Sequence, residues 1–416
     1  MELFNFQKNV LDQSESFNKV AYYYDMGLGK TFIGAEKLNR LNSIINLVIC
    51  QKSKISDWVK HFETYYSVYK VFDLTDKKQF IDFFKCTKKK IGIINYELSL
   101  RRVELSFLEN FTLLLDESSM IQNENSQRTK FVMNKLKPAN IILLSGTPTG
   151  GKYERLWTQL YLLGYKINKT TYWNEYVDFH VNNKLGFPFK IIDGYKNVDR
   201  LKRKMSEYGC FFKKTDEVFD LPEQNFISIN VETSKQYKDF QKKSIVTVDD
   251  VELVGDTTLT QLLYERQLCS VYSKDKLNVL YDLLSSSDDR FVIFYNFNDE
   301  YKAIEQVCFE LNKHVSIVNG SDKDLSNYEE ENNSVTLIQY QSGAMGLNLQ
   351  KANKIIYFSP CLSSELFEQS KKRIHRIGQS KPCFYYQLVC ENSVEEKIYK
   401  VLAMRKDFTE KLFLQE

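Results

Sequence analysis

Tyr24-Asp25-Met26-Gly27-Leu28-Gly29-Lys30-Thr31 has the chemistry of a loop that cradles phosphate. Gly27 and Gly29 let the backbone turn tightly with its N–H groups facing inward, at a helix N-terminus whose dipole favours anions. Lys30 is placed to reach the β and γ phosphates of a nucleoside triphosphate as a point charge, and the Thr31 hydroxyl to ligate Mg2+. The flanks fit: Lys19 to Tyr24 is β-branched and aromatic, as a buried strand is, and Phe32 to Leu38 has helical spacing. The strict motif opens on glycine, whereas Tyr24 stands there. A plain glycine turn capping a helix, with Lys30 in solvent, is the competing reading of this segment taken alone.

The chain of 416 residues is long enough for two or three domains, and 43% hydrophobic with 14% aromatic content is ample for packed cores. A formal charge of +3 and a pI near 8.2 are too mild to identify a polyanionic partner. The eight cysteines form no C-x-x-C pair, and His61, His180, His314 and His375 do not fall at metal-ligand spacing with them. Buried or idle thiols are expected rather than a zinc site. Met1 to Phe6 lacks the basic and apolar parts of a leader, and no apolar run is long enough to span a bilayer. The expected setting is a reducing cytoplasm, bacterial or of a phage-infected host cell, with no membrane contact. Only the lysine- and asparagine-rich composition hints at a phage or mobile element.

No low-complexity tract or repeat interrupts the chain, so the lobes are expected to be closely joined. After the phosphate loop, Ile44 to Cys50 and Ile91 to Tyr96 read as buried strands separated by amphipathic segments, which implies a parallel sheet covered on both faces. Phe111 to Leu115 runs into Asp116-Glu117-Ser118-Ser119, placing two carboxylates at the carboxyl end of a strand, where open α/β sheets bind ligands. Asp116 suits Mg2+, and Glu117 suits orienting or deprotonating an attacking water. Without the phosphate loop, an acidic pair capping a helix would be preferred. Ile141 to Leu144 ends in Ser145-Gly146-Thr147-Pro148-Thr149-Gly150-Gly151, whose hydroxyls read equally well as a sensor of the γ-phosphate and as an inert polar turn.

From about 165 to 215 the periodicity is helical and the surface basic, with Tyr172-Trp173, Phe179, Lys202-Arg203-Lys204 and Lys213-Lys214. Aromatics among lysines suit a nucleic-acid backbone, and a helix with one packed and one solvated face suits them as well. Leu221-Pro222 marks a lobe boundary. Phe226 to Val231 alternates as a strand, 236 to 281 is mostly helical, and Phe291 to Tyr295, Val335 to Tyr340 and Lys354 to Phe358 repeat the α/β plan. The glycine-bearing loop from Gln341 to Leu349, with Gly343 and Gly346, can direct backbone N–H groups at phosphate. In Gln369-Ser370-Lys371-Lys372-Arg373-Ile374-His375-Arg376-Ile377-Gly378-Gln379, Arg373 and Arg376 are expected one helical turn apart on a shared face. As arginine fingers they would stabilise charge on a transferring phosphoryl group; a solvated basic helix is the commoner outcome of such a run.

Taken together, these segments resemble the Snf-type (Swi/Snf-related) ATPases of helicase superfamily two, motors on double-stranded DNA. The likeness runs through Asp25 to Thr31 (motif I), Asp116-Glu117 (motif II), Ser145 to Pro148 (motif III), Gly343 to Leu349 (motif V) and Arg373 to Gln379 (motif VI), and spans nearly the whole chain. Phe6-Gln7, Trp58, Asn95-Tyr96-Glu97 and Lys213 to Pro222 agree in order. The resemblance implies two tandem RecA-like lobes with parallel sheets, at 1–220 and 221–416, with short helical insertions about 165–215 and 235–275. It implies that Gln7 contacts adenine, that Gly27, Gly29, Lys30 and Thr31 hold the phosphates and Mg2+ of ATP, and that Asp116 and Glu117 serve metal and water. Gln369, Arg373 and Arg376 would face the γ-phosphate. Three features depart from the family pattern: Ser118-Ser119 replaces a pair ending in histidine, Lys372 stands where an aspartate is common, and both insertions are short.

The expected activity is ATP-driven translocation or remodelling on duplex DNA by a monomer. A strand-separating or branched-DNA helicase and a nucleotide-latched DNA-binding adaptor are the alternatives. No nuclease, chromatin-reading or zinc module is evident, so a separate targeting protein is an expected partner.

Overall fold

The computed structural model describes residues 2–182, 189–248, 251–343 and 347–413. The chain divides into two compact units, 1–218 with 407–416, and 219–406.

The first unit is built on β1 (Lys19–Tyr24), β2 (Ile45–Cys50), β3 (Lys70–Asp73), β4 (Lys90–Asn95), β5 (Thr112–Asp116), β6 (Asn140–Ser145), the pair β7 (Val177–Asn182) and β8 (Phe189–Tyr195), and β9 (Cys210–Lys213). Seven of these form one wholly parallel sheet in the order β3-β4-β2-β5-β6-β1-β9. The runs of Ile, Leu, Val and Tyr in the central strands have no polar face because both faces are covered. Ala21, Tyr23, Leu113, Leu115 and Leu143 belong to the core on one side. On the other lies α2 (Lys30–Leu41), which follows the phosphate loop. A Cβ on its Gly34 would come within 2.7 Å of Leu144 Cδ1, so glycine lets this helix sit tight on the sheet. In front of it is α1 (Asn5–Gln13), fastened by the buried Lys37, whose Nζ donates to Ser14 O at 2.7 Å.

The second unit holds β10 (Gln224–Val231), the pair β11 (Ile245–Val248) and β12 (Val251–Val254), β13 (Phe291–Tyr295), β14 (His314–Val318), β15 (Lys323–Asp324), β16 (Ser334–Gln339), β17 (Lys354–Tyr357) and β18 (Cys383–Cys390). Its sheet runs β10-β18-β17-β13-β16-β14-β15 and is parallel except for the short edge strand β15. Alternate residues again feed two cores: Val292, Phe294, Ile355 and Tyr357 on one face, Phe291, Ile293, Tyr295 and Ile356 on the other.

Both insertions contain strands as well as helices. The segment 165–215 carries the helices Lys169–Tyr176 and Val198–Glu207 around the antiparallel pair β7–β8, and then rejoins the main sheet through β9. The segment 235–275 carries Lys235–Lys243 and Thr258–Cys269 around β11–β12. The unbroken run of β-branched residues Ile245-Val246-Thr247-Val248 prevails there over the helical spacing on either side. All eight cysteines are free thiols and seven are buried. Among the described residues no helix is long and apolar enough to cross a membrane.

Candidate active site

Strands β1, β6 and β5 are neighbours and parallel, so their carboxyl ends lie on one edge of the first sheet. From that edge emerge the phosphate loop, the turn beginning at Ser145, and the acidic pair. Gly27 and Gly29 have φ of 89° and 71°, in the region that favours glycine. Lys30 begins α2 and turns back over the loop, its Nζ donating to Tyr24 O at 2.8 Å and Asp25 O at 3.3 Å. A Cβ on Gly146 would lie 3.3 Å from that Nζ, so the Ser-Gly-Thr-Pro turn passes directly against the lysine.

Gln7 braces the same loop. Its Nε2 donates to Leu28 O at 3.1 Å and its Oε1 accepts the Phe4 N–H at 3.0 Å. The side chain is buried behind the loop with both ends of its carboxamide engaged. Asp25, the first loop residue, is fastened to the far neighbour of β1: its N–H donates to Lys213 O at 2.9 Å, and its Oδ2 accepts the Thr215 N–H and hydroxyl at 3.1 and 3.2 Å.

The acidic pair ends β5. Asp116 Oδ2 accepts the Trp58 indole N–H at 2.8 Å, and its Oδ1 accepts the Glu117 N–H at 3.1 Å. Burial holds the Asp116 carboxyl above the usual carboxylate range, against the pull of the Trp58 bond and the positive charge of Lys30 and Lys54. That charge from Lys30 joins the phosphate loop electrostatically to the acidic pair. Trp58 lies in α3 (Ile55–Tyr65), whose Ile55, Trp58 and Phe62 face inward. The i, i+3, i+7 spacing shows in the sequence that Trp58 is buried, but not that its N–H finds a carboxylate. Tyr96, just after β4, is likewise a motif residue to which the sequence alone gives no role; its hydroxyl donates to Asp116 O at 2.9 Å and Glu117 O at 3.4 Å.

In the second unit, Gln369 lies in the helix Ser364–Lys371, which ends before either arginine. Arg373 and Arg376 therefore do not share a helix face, contrary to the spacing argument. The chain breaks from the helix because Ile374 inserts into the core, His375 Nε2 bonds with Pro222 O at 2.9 Å, and Gly378 takes φ 96°. Gln379 Nε2 secures the turn on Ala352 O at 2.8 Å. Arg373 is buried, and its carbonyl accepts the Leu349 N–H at 3.0 Å. Arg376 is half-buried and bonds Asn348 Oδ1; burial lowers its pKa. Both arginines thus lean on the loop after β16. Gly346 of that loop lies outside the described residues.

The basic, aromatic stretch of the first insertion is largely packed on itself. Lys190 Nζ sits 4.2 Å from the Phe179 ring centre and 4.8 Å from that of Trp173, and Tyr172 is fully buried. Leu201 and Met205 face the core, with Lys202-Arg203-Lys204 between them toward solvent. Among the described residues, one group of thiols and carboxylates is close enough for a metal: Cys269, Cys390 and Glu395. There the ammonium of buried Lys276 already sits 2.7 Å from both Glu395 oxygens, taking the position of a cation.

A model of the SNF2-related domain matches residues 23–274, and one of the helicase conserved C-terminal domain matches residues 275–378. An uncharacterized ATP-dependent helicase of Mycoplasma genitalium is 22% identical over 434 residues, covering 94% of this chain and 40% of that protein. The SWI/SNF-related matrix-associated actin-dependent regulator of chromatin subfamily A member 1 of Mus musculus is 24% identical over 426 residues, covering 90% of this chain and 39% of that protein. The chain thus spans about 40% of the length of these curated relatives. Among solved structures, the Sulfolobus solfataricus SWI2/SNF2 ATPase core in complex with dsDNA is similar at TM-score 0.47 and 21% identity, covering 99% of this chain and 92% of that one. With the first domain model alone matching more than half of its residues, the chain, two RecA-like lobes in tandem, belongs to the SNF2-related family.

Proposed function

We propose that this chain hydrolyses ATP to translocate along or remodel duplex DNA. The observation that carries the reading is the convergence, on three adjacent parallel strands, of a glycine loop with Lys30, a turn whose Gly146 abuts that lysine, and a half-buried carboxylate within reach of its charge. The names of the relatives, ATP-dependent helicase and regulator of chromatin, favour the same pair of substrates, ATP and DNA.

To act on a triphosphate, Lys30 releases the carbonyls of Tyr24 and Asp25 and turns its ammonium to the β and γ phosphates, while the loop N–H groups bind the remaining oxygens. A carboxylate and a hydroxyl are the hard oxygen donors that Mg2+ prefers, so Asp116 and Thr31 suit it. When bound, the ion neutralises charge on the phosphate oxygens. Glu117 is assigned to orient the attacking water and accept its proton. Arg373, Arg376 and Gln369 are assigned to the charge that develops on the transferring group. Gln7, already bound to the loop, is assigned to the adenine side of it.

The test is ATP turnover by the purified chain with duplex, single-stranded and forked DNA, with triplex displacement reporting movement. Glu117→Gln is expected to lower turnover by at least about a hundredfold, the scale of a lost general base. Arg376→Ala is expected to lower it by roughly a thousandfold or more, the scale of a lost arginine finger. Undiminished turnover in Glu117→Gln removes that assignment, and turnover indifferent to every DNA removes the motor. Separation of forked strands without triplex displacement would select the helicase reading instead.

A further inference from the structure

Glu117 occupies a costly backbone conformation. Its φ of 52° and ψ of 61° are left-handed, which costs a residue with a side chain about 1 kcal/mol or more and persists only where the surroundings impose it. On one side Tyr96 holds the carbonyls of Asp116 and Glu117. On the other, Ser118, which opens the short turn Ser118–Ile121, donates its hydroxyl to Gln159 Oε1 at 2.8 Å. Gln159 lies in the helix Trp157–Leu163 and, like Ser118, is 0% exposed.

The rest of the Gln159 carboxamide is also engaged. Its Oε1 accepts the Tyr23 hydroxyl at 3.0 Å, and its Nε2 donates to Pro148 O at 2.8 Å. The same carbonyl accepts Gln122 Nε2 at 3.0 Å, from the other end of the turn that Ser118 opens. One buried amide therefore ties together the strand leading into the phosphate loop, the turn that carries Glu117, and the Ser-Gly-Thr-Pro turn lying against Lys30. Such a group is expensive to leave unpaired in the interior, so its partners move with it rather than part from it.

We infer that Gln159 is a positioning residue for hydrolysis, holding Glu117 in its strained conformation and passing displacement of Pro148 on to it. The inference rests on the ATPase reading above. Gln159→Met keeps the side-chain length and removes all three bonds. The expected result is a KM for ATP within about twofold of the unaltered chain and a maximal turnover lowered at least about tenfold, a loss confined to the transition state. A residue that merely supported the core would lower the melting temperature without splitting kcat from KM in this way. Ser118→Ala is expected to reproduce part of the loss, and the double variant to lose no more than Gln159→Met, because both sever one connection.

Full turnover in Gln159→Met, or losses that multiply in the double variant, overturns the inference. If Gln159→Met does not fold, Ser118→Ala, which deletes a single oxygen, decides alone, and unchanged turnover in it is fatal. Turnover in the unaltered chain that neither variant disturbs overturns only the role of Gln159. Absence of turnover in the unaltered chain overturns the ATPase reading and this inference with it.

Discussion

Gly29→Ala is expected to destabilise the first unit by about 3 kcal/mol, and Gly27→Ala by only about 1 kcal/mol, although both residues have positive φ. The backbone term, about 1 kcal/mol for a side chain in the left-handed region, is common to both. The difference lies in what the new methyl group meets. At Gly27 nothing lies within 4 Å of it, whereas at Gly29 it falls 2.5 Å from Gln7 Nε2. Gln7 is long enough to retreat, but only by abandoning Leu28 O and the Phe4 N–H, at about 1 kcal/mol for each bond. The gap of about 2 kcal/mol corresponds to roughly 4–8 °C in melting temperature for a unit of this size. All three tryptophans, Trp58, Trp157 and Trp173, belong to the first unit, so their fluorescence follows its melting alone. In a Gln7→Ala background the obstruction is gone, and Gly29→Ala is expected to cost no more than Gly27→Ala. Coincident melts for the two glycine variants in the unaltered background, or a penalty that survives Gln7→Ala, would refute the assignment of Gln7 as the brace behind the loop.

Trp58→Phe removes the indole N–H that lowers the Asp116 pKa, leaving burial to raise it further. Less of the carboxylate is ionised at a given acidic pH, so the acid limb of the turnover profile should move to higher pH; an unmoved limb would dissociate Asp116 from it. His61 sits among Phe32, Trp58, Phe62 and Tyr65, and burial depresses its pKa to about 4 from an ordinary 6.5. The unfolded chain therefore takes up this proton first, so the contribution to stability is complete above pH 6.5 and is lost as the pH falls toward 4, by up to about 3 kcal/mol. His61→Phe should flatten that part of the stability profile, measured by denaturant unfolding across pH, and an equally steep loss in the variant would contradict the burial argument.

The parts of the fold legible in the sequence were those where local pattern and tertiary demand coincide. The runs before Asp25, Asp116 and Ser145 are apolar on both faces because β1, β5 and β6 are central in a covered sheet, and the turns that follow them carry glycine, acid and hydroxyl where regular pairing stops. The reading of Arg373 and Arg376 as a helical pair failed because spacing alone cannot register Ile374 being drawn into the core or His375 bonding to Pro222. The antiparallel pairs β7–β8 and β11–β12 were hidden for a different reason: short strands lying between helices are outvoted in a wide window. Around the candidate site, the residue types that bear charge were conspicuous, whereas Gln159, Tyr96 and the indole of Trp58 were not. Their significance is a matter of which atom points where, and that is set by elements distant in sequence.

Asp25 does two things at once. It starts the phosphate loop, and it donates to Lys213 and accepts from Thr215, in the last stretch before the polypeptide crosses into the second unit at Phe219. On the ATPase reading proposed above, a rearrangement of the loop on gaining or losing a triphosphate would be felt at Thr215 through main chain and a single carboxylate.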